Sequence, residues 1–361
     1  MNLRRNTFSA LLAVIIVCAG FTACHETPDY KDDPLGNFDA LSDIVAQRYC
    51  FFKEKNIDWN EVSSRYRAKV NQETNPIELF DILSEMLYEL QDGHVNLSSY
   101  FSTSYYRKWW SDYPQDFDLR TLQEYYLKFN YYQTSGISYV MFVPDSIGYM
   151  YYPSFSAGIG ETNLDYILAL LHKSKGLIID IRDNGGGMLT NIDRLVGRFI
   201  SKPTVGGYIR HKTGPGPDDF SEPYEIVYQP ADKGRVQHFG PIVVLTSRSC
   251  FSAANNFTAV MKGLPDVTIA GARTGGGGGL PFSSEIPNGW SVRFSACPIN
   301  DRNDKTVEFG IEPDEGCEVH CTAEELAAGI DRILDFGIKY LRDRINQRPD
   351  NTKSAFTTPS R

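Results

Sequence analysis

Leu177-Ile178-Ile179-Asp180-Ile181-Arg182-Asp183-Asn184-Gly185-Gly186-Gly187 decides the fold. Residues 177–181 are almost wholly aliphatic, which predicts a strand buried on both faces, as in a parallel sheet covered by helices. Three glycines follow at once. They predict a turn where backbone can approach a ligand closely with bare N–H groups exposed. A phosphate loop would also use such a turn, but neither Gly-Lys-Ser/Thr nor GxGxxG is present.

Outward from this strand, helix and strand patterns alternate. Residues 137–143 and 147–152 read as strands, and 162–174 as a helix with Leu164, Ile167, Leu168 and Leu171 on one face. A helix near 190–200, a strand at 242–246, a helix at 252–262 and a strand at 267–270 follow. Strand 242–246 leads through 247–251 into Ser252-Ala253-Ala254-Asn255, which opens a helix. A serine there is either an ordinary helix cap or a hydroxyl held where a helix N-terminus stabilises negative charge. Upstream, 38–91 reads as helical. Asn75-Pro76-Ile77-Glu78 is a start signal, Ile77, Phe80, Leu83, Leu87 and Leu90 keep helical spacing, and Gly93 is a stop. Residues 99–136 are aromatic and irregular. No internal repeat is present.

The chain has 361 residues, 42% hydrophobic and 22% charged, with a formal charge of −9. That is globular composition, long enough for a sizeable core, and it excludes global disorder and fibrous architecture. The acidic balance argues against nucleic acid or an anionic membrane surface as partner. Arg4, Arg5 and an apolar run from Leu11 to Val17 predict a secretory signal over 1–23, too short to span a membrane. Thr22-Ala23-Cys24 resembles a bacterial lipoprotein box, with Phe21 where Leu is usual, and implies diacylglycerol on Cys24. The expected layout is signal 1–23, polar tether 24–37, N-terminal helical domain 38–98, core 99–345 and flexible tail 346–361. Lys31-Asp32-Asp33 in the tether resembles the export signal of Bacteroidetes surface lipoproteins. The cell envelope is therefore the expected location. Removal of 1–23 also removes Arg4 and Arg5. Cys50, Cys250, Cys297, Cys317 and Cys321 remain in the mature chain, an odd number that cannot pair completely. Cys317-x3-Cys321 with His320 lacks a fourth metal ligand nearby, so a disulfide or two buried thiols is the expectation, with no metal and no cofactor.

Four motifs resemble the C-terminal processing (tail-specific) and tricorn-core serine peptidases. They are the strand ending in Asn184-Gly185-Gly186-Gly187, the nucleophile turn Ser252-Ala253-Ala254-Asn255, Gly310-Ile311-Glu312-Pro313-Asp314, and Asp92-Gly93-His94 of the tricorn-like branch. They occur in the family's order over 92–314. The resemblance implies an α/β, crotonase/ClpP-like core of ββα units and hydrolysis of a peptide or protein substrate. Where processing peptidases carry a catalytic Lys, this chain has Gly275–Gly279. The interval from Val95 to Gly148 is too short for the PDZ domain of many relatives.

A serine nucleophile needs a base. Lys262 is ten residues past Ser252 on one helix, about 15 Å along its axis at ~1.5 Å per residue, and cannot serve. Of the histidines, His94 alone falls in a family motif; His25, His172, His211, His238 and His320 lie in the tether, at a helix end, in polar connections or beside the cysteines. The resemblance thus implies Ser252 as nucleophile, His94 as base and Glu308 as orienting carboxylate, with Glu312 as the alternative. It assigns the oxyanion to the Ala253 N–H and to one glycine N–H, from Gly185 or Gly186. An unperturbed imidazole, with pKa ~6.5, predicts activity rising with pH through roughly 6–7. The missing Lys and Asn255 are instead what a catalytically weak or inactive peptide- or hydrophobic-ligand-binding lipoprotein on the same fold would show.

Overall fold

The computed structural model describes residues 29–143, 147–347 and 356–357. The signal, Cys24, His25 and most of the tail therefore lie outside the described residues.

Three helices open the described chain: α1 (Pro34–Arg48), α2 (Trp59–Arg67) and α3 (Pro76–Tyr88). Asp33 caps α1 by accepting from the Gly36 N–H at 2.8 Å, and Pro34 holds its first position. Helix thus begins inside the stretch expected to be a tether. Asn75 caps α3, accepting from the N–H groups of Ile77 and Glu78. Ile77 is 65% exposed, and Leu79, Ile82 and Met86 join Phe80, Leu83 and Leu87 on the buried face instead.

One sheet runs β10-β9-β5-β4-β3-β2. Its strands are β2 (Tyr132–Thr134), β3 (Ile137–Val143), β4 (Ile147–Tyr151), β5 (Gly176–Asp180), β9 (Ile242–Thr246) and β10 (Val267–Gly271). β4, β5, β9 and β10 are parallel, and β4, β5 and β9 are buried throughout. Helices α4 (Glu161–Leu170), α5 (Leu189–Val196) and α6 (Ala253–Lys262) cover one face, and α7 (Arg332–Asn346) with Leu122 and Leu127 covers the other. Because the central strands are parallel, the loops after β5 and β9 emerge at one end, where ligand sites of such sheets form.

The second sheet joins β1 (Asn96–Ser98), β6 (Thr204–Ile209), β7 (Tyr224–Tyr228), β11 (Gly279–Glu285) and β12 (Ser291–Asp301). Its Val292, Phe294 and Ala296 share a core with Phe38, Leu41, Val45 and Leu83 of the N-terminal helices. The helices are therefore a layer on this sheet with a common core. α7 ends where the flexible tail was expected, and farther on β13 (Phe356–Thr357) pairs with β8 (Gln237–His238). Cys50, Cys250, Cys297, Cys317 and Cys321 are all free thiols. No group of His, Cys, Asp and Glu suited to a metal occurs among the described residues.

Arg182, at the end of β5, is fully buried. It binds Asp180 through Nη2 and Nε at 2.7 and 2.9 Å, and Asp331 through Nη1 at 2.7 Å. Asp331 also caps α7 through the Leu334 N–H at 3.0 Å. One guanidinium thus ties β5 to the C-terminal helix beneath the glycine turn.

Candidate active site

The nucleophile turn is strained. Ser252 has φ +56° and ψ −118°, a conformation a non-glycine residue holds only when its surroundings enforce it. Three backbone bonds do so: Phe251 N–H to Asn184 O at 3.1 Å, Ser252 N–H to Gly276 O at 2.9 Å, and Asn256 N–H to Ser252 O at 2.9 Å. The turn lifts the Ser252 hydroxyl at the start of α6. Gly276, at φ +84°, allows this approach, since a Cβ there would meet Glu308 O at 1.9 Å. The glycine run 275–279 packs against the serine through Gly276 and brings no amine. Lys262 is held by Glu312 O at 2.6 Å and Pro313 O at 3.2 Å.

His94 arrives from the other sheet. β1 pairs with β12 in a register that sets Asn96 opposite Arg293. Continuing that register by two residues sets His94 opposite Ser295. There His94 Nε2 lies 2.9 Å from Ser252 Oγ, and Nδ1 lies 3.3 Å from Ser295 Oγ. The imidazole packs against Phe251 with ring centroids 4.7 Å apart, and Trp109 stacks on the same Phe251 at 4.2 Å. Burial lowers the imidazole pKa to about 4; the Asp92 charge opposes that shift, and Arg293 and Lys55 reinforce it.

Among the described residues, the N–H groups of Gly185 and Ala253 take no hydrogen bond; Ala253 follows Ser252 directly, and Gly185 precedes the glycine that packs against it. Of the two candidate glycine donors, Gly186 is engaged. Its N–H donates to Asn184 Oδ1 at 2.9 Å and is not available to a substrate. Asn184, fully buried, also donates to Tyr152 O at 2.8 Å, so this side chain braces the turn from inside. The glycine is needed for its shape. With φ +100°, an added Cβ would stand 2.7 Å from Phe251 O and 2.9 Å from Ser252 Cβ. Gly186→Val is expected to cut turnover by ~10² or more by displacing the nucleophile turn and its donors; equal rates for variant and wild type would make this turn a mere connection.

Neither expected carboxylate touches His94. Glu312 is exposed and pairs with Arg273 at 3.1 Å, because its loop faces solvent. Glu308 is buried, but its Oε1 lies 2.7 Å from Lys55 Nζ and its Oε2 accepts the Gly278 N–H at 2.9 Å. Burial, and then the Asp92 charge, push the Glu308 carboxyl up against the pull of Lys55. Lys55, Asp92 and Ser295 are the site residues to which sequence reasoning gave no role. Only Asp92 had a signal, as part of Asp92-Gly93-His94.

A cavity of about 440 Å³ opens beside the site, lined among others by Gly93, Tyr106, Trp109, Phe251 and Glu308. A larger one, about 540 Å³, lies between α1 and β11 and includes none of Ser252, His94 or the glycine turns.

Residues 146–316 match the family described as peptidase family S41, and 30–88 match the tricorn protease C1 domain. A candidate peptidase from Parabacteroides merdae, known from its crystal structure, is 47% identical, with 86% of this chain and 97% of that chain covered and a TM-score of 0.81. The chain belongs to peptidase family S41. Ser252 and His94 are the candidate catalytic pair of this S41 chain. The crystal structure of mature CPAF shares the fold, with a TM-score of 0.65 at 14% identity over 89% of this S41 chain and 98% of its own. An uncharacterised protein of Chlamydia muridarum (strain MoPn / Nigg) is 30% identical over 96 residues, which are 26% of this S41 chain. The match spans 16% of that curated relative's length.

Proposed function

We propose that the chain hydrolyses peptide bonds of a peptide or protein substrate through an acyl-enzyme on Ser252, with His94 as base. The observation that carries this is the 2.9 Å contact between His94 Nε2 and Ser252 Oγ at a turn flanked by two unengaged N–H groups. Nε2 must present its lone pair to the hydroxyl, so the resting proton sits on Nδ1, toward Ser295. Ser252 Oγ attacks the substrate carbonyl as its proton passes to Nε2. The developing oxyanion meets the N–H groups of Gly185 and Ala253. The imidazolium then protonates the leaving amine, and water, deprotonated by the same nitrogen, releases the acyl group. The aromatic cavity beside Phe251 is the place for a substrate side chain.

The test is digestion of a peptide library read by mass spectrometry, with Ser252→Ala as control, together with fluorophosphonate labelling. Cleavage and labelling lost in Ser252→Ala support the reading. Folded wild-type protein that neither cleaves nor labels would favour a binding module.

The pH profile follows from burial of the base. His94 is competent when neutral, and its pKa near 4 puts the rise of kcat/KM at about pH 4, well below the 6–7 of a solvated imidazole. Activity is expected to be nearly flat from pH 5.5 to 7; a rise centred at 6.5 would mean the imidazole is solvated. Stability moves in the same direction. The folded pKa lies below the unfolded ~6.5, so this group's contribution is complete above 6.5 and is lost as pH falls toward 4.

We also infer an envelope location, lipid-anchored through Cys24. Its support is the Thr22-Ala23-Cys24 box after an apolar run. Among the described residues, no helix is long and apolar enough to cross a membrane. Cys24→Ser is expected to move the protein from the membrane to the soluble fraction; an intact mass without lipid adduct would rule the anchor out.

A further inference from the structure

Two buried carboxylates flank the base, and they differ in what already balances them. Glu308 has a cation at 2.7 Å in Lys55, and both its oxygens are engaged. Lys55 also donates to Leu90 O and Gln91 O, each at 3.1 Å, so all three of its donors are used. The pair clips the loop before Asp92-Gly93-His94 to the turn that carries Glu308.

Asp92 is in a different state. Its Oδ1 accepts the backbone N–H of His94 at 2.8 Å, while its buried Oδ2 has no hydrogen-bond partner among the described residues. Within 4.0 Å its ion-pair partner is not a lysine or an arginine but the base itself, with His94 Nδ1 at 4.0 Å from Oδ1. Ser295 Oγ, 3.3 Å from Nδ1, is fully buried, and its hydroxyl is among the groups that favour the ionised form of Asp92. Burial pushes the Asp92 carboxyl up, but the Lys55 charge, then His94 and its N–H, and last the Ser295 hydroxyl hold it below the usual range.

We propose that Asp92, acting through the Ser295 hydroxyl, is the carboxylate that orients His94 and balances its charge, while Glu308 and Lys55 clamp the loop. The inference rests on the peptidase reading of Ser252 and His94. The Nδ1–H donates to Ser295 Oγ, and the Ser295 O–H donates to Asp92. This fixes the tautomer that leaves Nε2 free for the Ser252 proton. No proton leaves Nδ1, and Asp92 stays ionised throughout. A buried anion whose nearest cation, Lys55, is bonded to another carboxylate is costly, and it favours a positive charge arising beside it. The imidazolium formed during attack is that charge. Glu308, already neutralised by Lys55, gains nothing from it. Among the charges acting on His94, Asp92 is the one that raises its pKa, and Glu308 does not figure.

The experiment uses the full chain and a fluorescent fluorophosphonate that labels Ser252, with the rate resolved into a saturation constant KI and a limiting rate kinact. Asp92→Asn keeps an acceptor for the His94 N–H and removes the charge. It should lower kinact by ~10² with KI within about twofold, by analogy with the loss of a triad carboxylate. Ser295→Ala should lower kinact at least ~10-fold, and adding Asp92→Asn to it should cost little more, because the two act in series. Glu308→Gln should lose less than Asp92→Asn. A Glu308→Gln loss that equals or exceeds that of Asp92→Asn, at unchanged KI, overturns the assignment. So does a Ser295→Ala rate within about twofold of wild type, and that variant decides alone should Asp92→Asn fail to fold. Wild type that never labels removes the peptidase reading and this inference with it. Wild type that labels beside unaffected Asp92 and Ser295 variants removes this inference only.

Discussion

Ser252→Ala and His94→Ala should each reduce peptide turnover by about 10⁶-fold, and the double variant should be no slower than either single one. The equality follows from geometry. The Ser252 hydroxyl has one base, His94 Nε2 at 2.9 Å, and removing either partner ends the same proton transfer. What survives is the contribution of the oxyanion donors and of binding, which neither substitution touches. His94 is buried and Ser252 half-buried in one packed unit, so KM should change far less than kcat. Steady-state kinetics on a peptide found by library digestion measures all three variants. A His94→Ala protein retaining a tenth of wild-type turnover would show that another base serves the serine.

Arg182→Ala should be the most destabilising single substitution in the core, by about 3–5 kcal/mol. It removes the cation that Asp180 and Asp331 share and leaves two buried carboxylates unpaired. Tyr149 donates to Asp180 Oδ2 at 2.8 Å but supplies no charge to replace the guanidinium. Arg182→Lys should recover little, since an ammonium cannot span both carboxylates in the plane the guanidinium uses. Thermal unfolding should shift down by roughly 10 °C. A shift under about 3 °C would mean that the interior rearranges to neutralise both acids.

The central sheet was readable because buried parallel strands are continuous aliphatic runs. β3 matches its expected span, and β4, β5, β9 and β10 agree to within one residue. The nucleophile turn was readable for a local reason too, a serine between such a strand and a helix. The second sheet was not. β1 is three residues long, and its pairing with β12 joins segments almost two hundred residues apart, which no local period announces. Ser295 enters the site by that route, and Lys55 comes from the loop after α1. Each sits in a stretch with no motif, and each matters only through what the tertiary fold sets beside it. α7 escaped reading although Ile333, Gly337 and Leu341 recur every four residues on its buried face. Which glycine N–H is free is not legible, because a side chain two residues earlier, Asn184, turns back to take that of Gly186, and that depends on a rotamer. Glu308 was read as the partner of His94 because the family motif fixes its place along the chain. Its charge partner comes from outside every motif.

The separation of Lys55 from Glu308 along the chain has a consequence in time. A chain leaving the ribosome exposes Asp92, His94 and then Ser252 well before residue 295 or 308 has emerged. At roughly 5–20 residues per second that interval lasts seconds. Until β12 is made, β1 has no strand to pair with, His94 has no fixed address, and the loop before it has no clip. The growing polypeptide is thus inert while its own unfolded segments are the nearest available substrate. Hydrolytic competence waits for β12 and the turn that carries Glu308, so the order of synthesis itself works as a safety catch.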